Sequence, residues 1–312
     1  MGKKKKDTME LRFYEVPQGE YVLALLGDNW IRDYGHDESN LHFHNLMEIG
    51  YCKNGTGELI LNEETKRYEP AMVSIIPQNY PHVTISDIAE GPSYWEYLFF
   101  DPMVMIQELY PDNAVMQKKV LQMINRKALF FHEWENRGIS VLVKMLMDEM
   151  RQKKNHFNDC VRGLLIAFFA ELLRMCESDV SENEVKKKTG VSQITAALDY
   201  VRLEYANNIR VEELAKASHM SETHFRRVFE SYMNMSPMDY INLMRVQKAC
   251  DIMKKTNDPM DVVAQKVGFT TTSTFNRNFR QLMGMSPAEW RKRPENYEQQ
   301  LLKFDIHSEK GW

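Results

Sequence analysis

Cysteine is scarce in this sequence of 312 residues: there are four, Cys52, Cys160, Cys176 and Cys250, and no two of them form a C-x-x-C pair. The sequence therefore indicates neither a disulfide framework nor a cysteine-based zinc cluster, and we expect four reduced thiols. Long apolar runs are also missing. The longest, GLLIAFFAELL (163–173), contains a glutamate and is too short to span a bilayer. Because no secretory h-region is present near the N-terminus, the sequence predicts a cytoplasmic protein without a membrane partner.

A strong net charge is lacking as well, but the charges are unevenly distributed along the chain. The net charge is −4. Residues 192–293 carry 15 Lys and Arg against 11 Asp and Glu, an excess of four positive charges, so the remainder of the chain carries −8. A basic C-terminal part is consistent with nucleic-acid binding, although so small an excess does not establish it.

Residues 41 to about 101 alternate between apolar and polar character and are interrupted by Gly, Pro and Asn. The stretches concerned are HFHNLMEIGYCKNGTGELIL, MVSIIPQNYPHVTI and SYWEYLFF. This pattern predicts short strands joined by turns, with a hairpin at Asn54-Gly55. An antiparallel barrel or sandwich is the expected product.

From about 112 to 177 the apolar period becomes helical. Two amphipathic helices are predicted, and their apolar faces comprise Ile139, Leu142, Val143 and Leu146 in the first and Val161, Leu164, Leu165, Phe168 and Leu172 in the second. The two helices form a natural hairpin, which either packs on the strands or forms a dimer interface. The polar, charged stretch that follows, ESDVSENEVKKKTGVS (177–192), is typical of an interdomain linker.

The C-terminal region contains an internal repeat. VFESYMNMSPMDY (228–240) returns as NFRQLMGMSPAEW (278–290), and Phe225, Arg227 and Phe229 recur fifty positions later as Phe275, Arg277 and Phe279. One supersecondary unit has thus been used twice.

Each copy of the repeat has the layout of a helix-turn-helix. In the first, VEELAKA (211–217) is a short helix and Ser221 caps the next one. In the second, Asp258-Pro259 begins a helix and Gly268 makes the turn. A single long helix over 237–253 is expected between them. If the two second helices lie about one DNA turn apart, roughly 34 Å, both can enter successive major grooves.

The region from about 194 to 293 resembles the DNA-binding domain of the AraC/XylS family of bacterial transcription regulators. The resemblance is carried by LAKASHMSETHFRRVF, SPMDYINLMRVQKA and VAQKVGFTTTSTFNRNFRQLMGMSP. Asn234 occupies a position where the family usually has glycine, but asparagine also tolerates positive φ. The resemblance implies an activator that binds a double-stranded DNA operator and recruits RNA polymerase.

In each second helix of the repeat, the face opposite the buried phenylalanines is expected to contact DNA. The residues on that face are Thr223, Arg226 and Arg227 in the first unit and Thr272, Ser273, Asn276 and Arg277 in the second. Arginine can bind guanine and asparagine can bind adenine through paired hydrogen bonds. For Arg227 and Arg277, a phosphate contact or a contact within the domain is an equal alternative to base reading.

The strand-rich segment resembles the cupin-like effector domain that precedes the DNA-binding domain in the same family. It contains H-x-H-x3-E-x6-G followed by P-x-N-x-x-H, although Ala71 and Asn79 replace two glycines of the second cupin motif. Strand alternation allows the side chains to point into a barrel. The implied effector-binding residues are His42, His44, Glu48, His82, Trp95 and Tyr97.

Three interpretations of this cluster compete. A cupin enzyme would use His42, His44, Glu48 and His82 to hold a catalytic metal. A sensor would use them to bind a small molecule, and a third possibility is a set of satisfied interior histidines. Fusion to a duplicated helix-turn-helix favours a sensor with no cofactor, because a regulator needs differential ligand affinity rather than turnover. The resemblance to the family implies that the ligand is a sugar or a related metabolite. A metal-dependent cupin enzyme with an accessory DNA-binding domain and a ligand-independent DNA-binding protein are the alternatives.

The sequence thus predicts an α+β multidomain protein: an N-terminal cupin-like antiparallel β-barrel with a helical hairpin, and a C-terminal all-α domain with two helix-turn-helix units. The predicted segments are an arm and effector barrel (1–111), a dimerising hairpin (112–177), a linker (178–192), the DNA-binding domain (193–294) and a tail (295–312). A homodimer is expected. We further expect ligand binding to reposition the arm (about 9–40, with Trp30 and Arg32) or the hairpin helices.

Overall fold

The computed structural model describes most of the chain, and the described residues are 10–12, 14, 16–17, 19–35, 41–62, 64–178, 194–233 and 235–292. They form two compact units, 10–178 and 194–292. The predicted linker at 178–192 lies almost entirely outside the described residues, and so do Asn234 and the tail at 295–312. The division into five segments therefore stays a prediction.

The N-terminal unit consists of short strands followed by helices. The strands are β1 (Glu10–Arg12), β2 (Leu23–Leu25), β3 (Ile31–Arg32), β4 (His42–His44), β5 (Met47–Asn54), β6 (Gly57–Leu61), β7 (Glu64–Tyr68), β8 (Met72–Ile76), β9 (His82–Ser86), β10 (Ser93–Phe100) and β11 (Leu129–His132). The helices are α1 (Pro102–Leu109), α2 (Ala114–Ile124), α3 (Arg137–Gln152) and α4 (Phe157–Ser178). Strands β1–β3, within the arm, and β11, between helices, were not expected from the sequence.

The strands form two sheets. One sheet has the order β1-β4-β9-β6-β7 and the other β11-β8-β5-β10-β2, with β3 also paired to β10. All strand pairs within them are antiparallel except β1 with β4. The prediction of a closed barrel is wrong for the described residues, while the antiparallel sheet domain is confirmed. The edge strand β7 contributes to the open edge, because its exposed, charged Glu64, Lys66 and Arg67 oppose pairing with a further strand.

The helical hairpin covers the outer face of the six-stranded sheet. Phe100 on β10 packs edge-to-face on Phe168 of α4, with ring centroids 6.0 Å apart. Arg151 of α3 reaches the buried carboxylate of Glu96, also on β10, at 2.7 Å. The predicted apolar faces of both helices are confirmed, although Leu142 and Leu164 are only half-buried.

Two local expectations in this unit need correction. Asn54-Gly55 does not form a hairpin, because β5 and β6 belong to different sheets. Gly55 instead has φ +94° where the chain crosses between the sheets, and a Cβ there would lie 2.6 Å from the Cα of Ser93. The tight hairpin is the next one, between β6 and β7, where Asn62 adopts φ +57°. Similarly, HFHNLMEIG forms two strands, β4 and β5, rather than one.

The C-terminal unit is entirely helical within its described residues. Its helices are α5 (Thr195–Glu204), α6 (Val211–Ala217), α7 (Glu222–Met233), α8 (Pro237–Lys255), α9 (Met260–Lys266), α10 (Thr272–Met283) and α11 (Pro287–Arg291). The predicted helices at 211–217 and 237–253 are confirmed. The expected cap at Asp258 is wrong: the helix begins one residue later than proposed, with Pro259 at the cap position, while Asp258 accepts a hydrogen bond from Lys266.

None of the helices in the described part of the chain combines the length and the apolar character needed to cross a bilayer.

Candidate functional site

Helices α7 and α10 are the second helices of two helix-turn-helix units. Each buries a pair of phenylalanines completely, Phe225 and Phe229 on α7 and Phe275 and Phe279 on α10. The chain turns sharply before each helix, at positive φ. The opposite faces carry the predicted DNA-contacting residues. Six of these are exposed, namely Thr223, Arg226, Arg227, Ser273, Asn276 and Arg277, and the seventh, Thr272, is half-buried. The amphipathic pattern therefore assigned the two faces of each helix correctly.

Two of the predicted DNA-contacting arginines have partners on their own helix. The guanidinium of Arg226 donates to the carboxylate of Glu222 at 2.7 and 3.0 Å, one turn earlier. Arg227 lies 3.1 Å from the His224 ring. Both pairs are exposed, so water screens them and each costs little to exchange for a phosphate or a base. Arg227 thus retains both of its proposed roles.

A polar groove beside α10 was missed by sequence reasoning. It has a volume of about 520 Å³ and is lined by residues of α8, α10 and the α5–α6 loop. Asn242, Thr274, Arg277 and Asn278 are among its lining residues. Asn242 gave no signal in the sequence because most of its neighbours on α8 are apolar and buried.

In the N-terminal unit, the predicted histidines and glutamate come together between the two sheets. His42 on β4 lies directly opposite His82 on β9. His44 follows on β4, and Glu48 comes from β5 in the other sheet. All four are buried, with exposures between 0% and 8%. The structure therefore places these residues in one cluster, which we call the histidine cluster.

Backbone carbonyl groups fix the orientation of two rings in the histidine cluster. Nδ1 of His44 lies 2.8 Å from the carbonyl oxygen of Leu46, and Nδ1 of His82 lies 2.8 Å from that of Tyr80. A carbonyl oxygen only accepts, so each Nδ1 carries a proton, and Nε2 of a neutral ring is then an acceptor. Burial lowers the pKa of His44 below its ordinary value, which favours the neutral ring.

The acceptors of the histidine cluster converge. Nε2 of His44 and Nε2 of His82 lie 3.0 and 3.4 Å from the same carboxylate oxygen, Oε2 of Glu48. Nε2 of His82 has no hydrogen-bond partner among the described residues, so a donor or a cation within reach of it and of the Glu48 carboxylate would be favoured, since an unpaired buried acceptor is costly. A hydroxyl group of a bound small molecule would meet this requirement.

The same residues also fit a divalent metal ion. One nitrogen from each of His42, His44 and His82 lies within 4.8 Å of the other two. Three imidazoles and the carboxylate of Glu48 are donors that suit zinc, manganese or iron. The carbonyl groups that hold Nδ1 of two of the rings are typical of the outer shell of metal sites.

Trp95 and Tyr97 lie on the same interior face of β10, away from the helices. Their rings stack with centroids 6.0 Å apart and planes at 12°. Tyr97 is followed by Phe99 at 6.3 Å, and Phe99 lies 5.2 Å from His44. The aromatic row thus leads from the histidine cluster to Trp95, its most distant member. Phe99, which contacts the cluster directly, was not among the predicted residues.

Tyr14 of the arm covers the histidine cluster and was missed by sequence reasoning. It is 1% exposed, and its ring stacks on Phe99 at 4.4 Å and lies 5.4 Å from His44. Asn45, in the turn between β4 and β5, exchanges two hydrogen bonds with the Tyr14 backbone, at 2.8 and 2.9 Å. No local pattern predicts a contact across 31 residues. The arm residue Trp30 is fully buried, with the Arg32 guanidinium 4.8 Å from its ring centre.

Comparison with known proteins shows that this chain is similar to transcriptional regulators. Residues 214–293 match the family described as a helix-turn-helix domain. The HTH-type transcriptional regulator YdeC of Bacillus subtilis (strain 168) is 24% identical over 291 residues, covering 92% of this chain and 96% of YdeC. The raffinose operon transcriptional regulatory protein RafR of Pediococcus pentosaceus is 23% identical and covers 78% of this chain and 84% of RafR. Among solved structures, fatty-acid-bound ToxT from Vibrio cholerae is 16% identical, covers 89% of this chain and 96% of ToxT, and has a TM-score of 0.41.

Proposed function

We propose that this chain, a transcriptional regulator whose C-terminal region is a helix-turn-helix domain of the AraC type, reads a specific operator with α7 and α10 under the control of a small molecule. The observation that carries the proposal is the duplicated unit: two helices, each with a buried phenylalanine pair and an exposed polar face. Two such faces recognise more DNA sequence than one. The relatives reported above are named as transcriptional regulators, and no enzyme family is indicated.

The residues proposed to contact DNA are those predicted from the sequence. On α7, Arg226 and Arg227 are exposed beside Thr223, and on α10 Asn276 and Arg277 are exposed beside Ser273. Thr272, at the first turn of α10, is half-buried and suits a phosphate contact near the helix N-terminus. Arginine and asparagine on the remaining face suit guanine and adenine edges.

The proposed effector is a sugar or a related polyhydroxylated metabolite bound at the histidine cluster. Converging acceptors favour a ligand with several hydroxyl donors, and the aromatic row beside them offers a ring face for its apolar side. RafR is named for a raffinose operon, which is consistent with a sugar. The residues proposed to bind it are His42, His44, Glu48, His82, Trp95 and Tyr97.

The arm connects effector binding to the rest of the unit. Tyr14 occupies the space next to His44 and Phe99, so a ligand that reaches the histidine cluster must displace this ring. Farther along the arm, Glu20 pairs with Lys153 at 2.6 Å, and the Gly19 carbonyl accepts a hydrogen bond from Asn158. Movement of the arm is therefore transmitted to the connection between α3 and α4.

The experiment that tests this proposal measures effector and operator binding together. The full chain selects an operator from randomised duplexes, and its affinity for that operator is measured with and without a panel of mono- and oligosaccharides. We expect one sugar to change operator affinity at least about 5-fold. His44→Ala should abolish that change while retaining operator affinity. If no sugar has an effect but zinc or manganese does, the histidine cluster binds metal, and the sugar proposal is wrong.

Homodimer formation through α3 and α4, activation of transcription and recruitment of RNA polymerase complete the proposal. Val141 and Met145, one turn apart on α3, are 50% and 48% exposed and form an apolar strip suited to a second copy. Sedimentation of the wild-type chain and of the Val141→Glu and Met145→Glu variants tests the dimer. A wild-type chain that sediments as a monomer would exclude it.

A further inference from the structure

The two helix-turn-helix units touch through the loop between α5 and α6, residues 205–210. Gly268 forms the turn of the second unit with φ +88°, and a Cβ at this position would lie 2.7 Å from the carbonyl oxygens of both Tyr205 and Ala206. The loop that leads into the first unit therefore rests directly on the turn of the second. Glycine is required here both for its conformation and for this close approach.

Arg245, in the middle of α8, binds the same loop. Its Nε donates to the Tyr205 carbonyl and one of its terminal nitrogens donates to the Asn207 carbonyl, both at 2.8 Å. Arg245 is only 8% exposed. A charged group donating to two carbonyl oxygens forms hydrogen bonds roughly twice as strong as neutral ones. The planar guanidinium reaches both oxygens at once, which the single ammonium of lysine does not reproduce.

The Arg245 side chain also contacts the second unit. Its guanidinium carbon lies 5.5 Å from the ring centre of Phe269, the residue after Gly268. Phe269 in turn packs on Phe275 of α10, with centroids 5.4 Å apart. Phe275 belongs to the buried face of the second recognition helix. One side chain of the connecting helix thus joins the entry of the first unit to the core beneath α10.

We infer that Arg245 is a positioning residue that sets the distance between α7 and α10, and thereby the half-site spacing that the protein accepts on DNA. The inference on half-site spacing rests on the proposed operator binding. The inference on helix distance does not, because it concerns the free protein. Helix α8 connects the two units along its own axis, and the Arg245 contact adds a second connection away from that axis.

The first test measures the distance between the two recognition helices without DNA. Spin labels are placed at the exposed positions Glu230 and Gln281, in a chain carrying Cys160→Ser and Cys176→Ser, and the distance distribution is recorded. We expect a single narrow distribution for the otherwise unchanged chain and a clearly broader or shifted one for Arg245→Lys. The matched control is Arg210→Lys, an exposed arginine of the same loop, which should leave the distribution unchanged.

The second test measures half-site spacing on DNA. An operator selected by the wild-type chain is lengthened or shortened by one base pair between its half-sites. Wild type and Arg210→Lys should lose roughly 100-fold in affinity, whereas Arg245→Lys should lose less than about 10-fold. If the wild-type chain selects no operator, the proposed function fails, and the distance measurement still decides the positioning role.

A second variant covers the case in which Arg245→Lys does not fold. Gly268→Ala pushes against the carbonyl groups of Tyr205 and Ala206, the first of which also accepts a hydrogen bond from Arg245, and we expect it to shift or broaden the distance distribution as well. Circular dichroism and thermal unfolding establish which variant is folded. Distance distributions that match wild type in the folded variants, together with an unaltered spacing preference, would overturn the inference.

Discussion

Ala71 and Asn79 lie in the left-handed backbone region, with φ +68° and +57°, which glycine and to a lesser extent asparagine tolerate and alanine rarely adopts. These are the two positions at which the sequence departs from the second cupin motif that it resembles. The sequence revealed the replacements but not their consequence, because a motif does not show whether the turn is kept. In the structure both residues lie in the left-handed region without being glycine.

Replacing Ala71 by glycine should stabilise the N-terminal unit. The left-handed conformation costs an alanine roughly 1–2 kcal/mol, while the extra flexibility of glycine in the unfolded chain costs about 0.5–1 kcal/mol. We therefore expect Ala71→Gly to raise the free energy of unfolding by about 0.5–1 kcal/mol in urea denaturation. Ala167→Gly, on the exposed side of α4, is the matched control and should lower it by about 1 kcal/mol. A loss of stability in Ala71→Gly would show that its backbone is not strained.

Residue types and spacing predicted much of the histidine cluster, but not what surrounds it. His42, His44, Glu48 and His82 were found because their spacing is local or belongs to a recognised motif. Tyr14 was not, because its contact with the cluster depends on how the arm lies across the sheets. Such contacts are set by tertiary packing, for which a single sequence contains no periodic signal.

At the scale of elements, helices were predicted better than strand connections. The amphipathic period predicted α3, α4 and α6 because each buries one continuous face. Helix α8 was predicted as the helix that joins the two repeated units. Strand pairing is less local: Asn54-Gly55 has the composition of a hairpin turn, yet its two flanking strands pair with different partners. Strand β11 was missed because four residues between two helices are too few to show alternation.

Glu96 joins three elements, and its charge should make their packing sensitive to acid. Its carboxylate is fully buried and accepts hydrogen bonds from Arg151 of α3, from the Tyr94 hydroxyl and from the Gly27 backbone. Burial alone would raise the pKa of Glu96, but these partners, Arg151 first, lower it below its ordinary value of 4.5. The stabilisation is therefore fully present above about pH 4.5 and is lost as the pH falls through the folded-state pKa.

We expect Glu96→Gln to lower the free energy of unfolding by about 1–2 kcal/mol at pH 7. This loss is smaller than is typical of a buried ion pair, because Arg151 is 39% exposed. The difference between wild type and variant should shrink as the pH approaches 3. Glu64→Gln, in an exposed pair with Lys66 at 3.8 Å, is the control and should have little effect at either pH. An equal difference at both pH values would exclude the Arg151 pair as its cause.

At the scale of the whole molecule, the internal repeat was the most informative feature of the sequence. A unit used twice predicts two similar surfaces, and the structure provides them on α7 and α10. The polar stretch after α4 predicted the division into two units, and the change of period from about residue 112 predicted the step from strands to helices within the first unit. The proposed coupling between effector and operator would involve both units, and no sequence pattern describes it.

The most direct test of the central claim compares the selected operator with a scrambled duplex of identical composition at physiological salt. We predict that the full chain binds the operator at least about 10³-fold more tightly. Arg226→Ala and Arg277→Ala should each reduce operator binding roughly 10- to 100-fold, whereas Lys66→Ala, which removes the same charge from the sheet unit, should not. Equal affinity for operator and scrambled duplex, with both falling steeply as salt increases, would contradict the account, because phosphate contacts alone would then explain the binding.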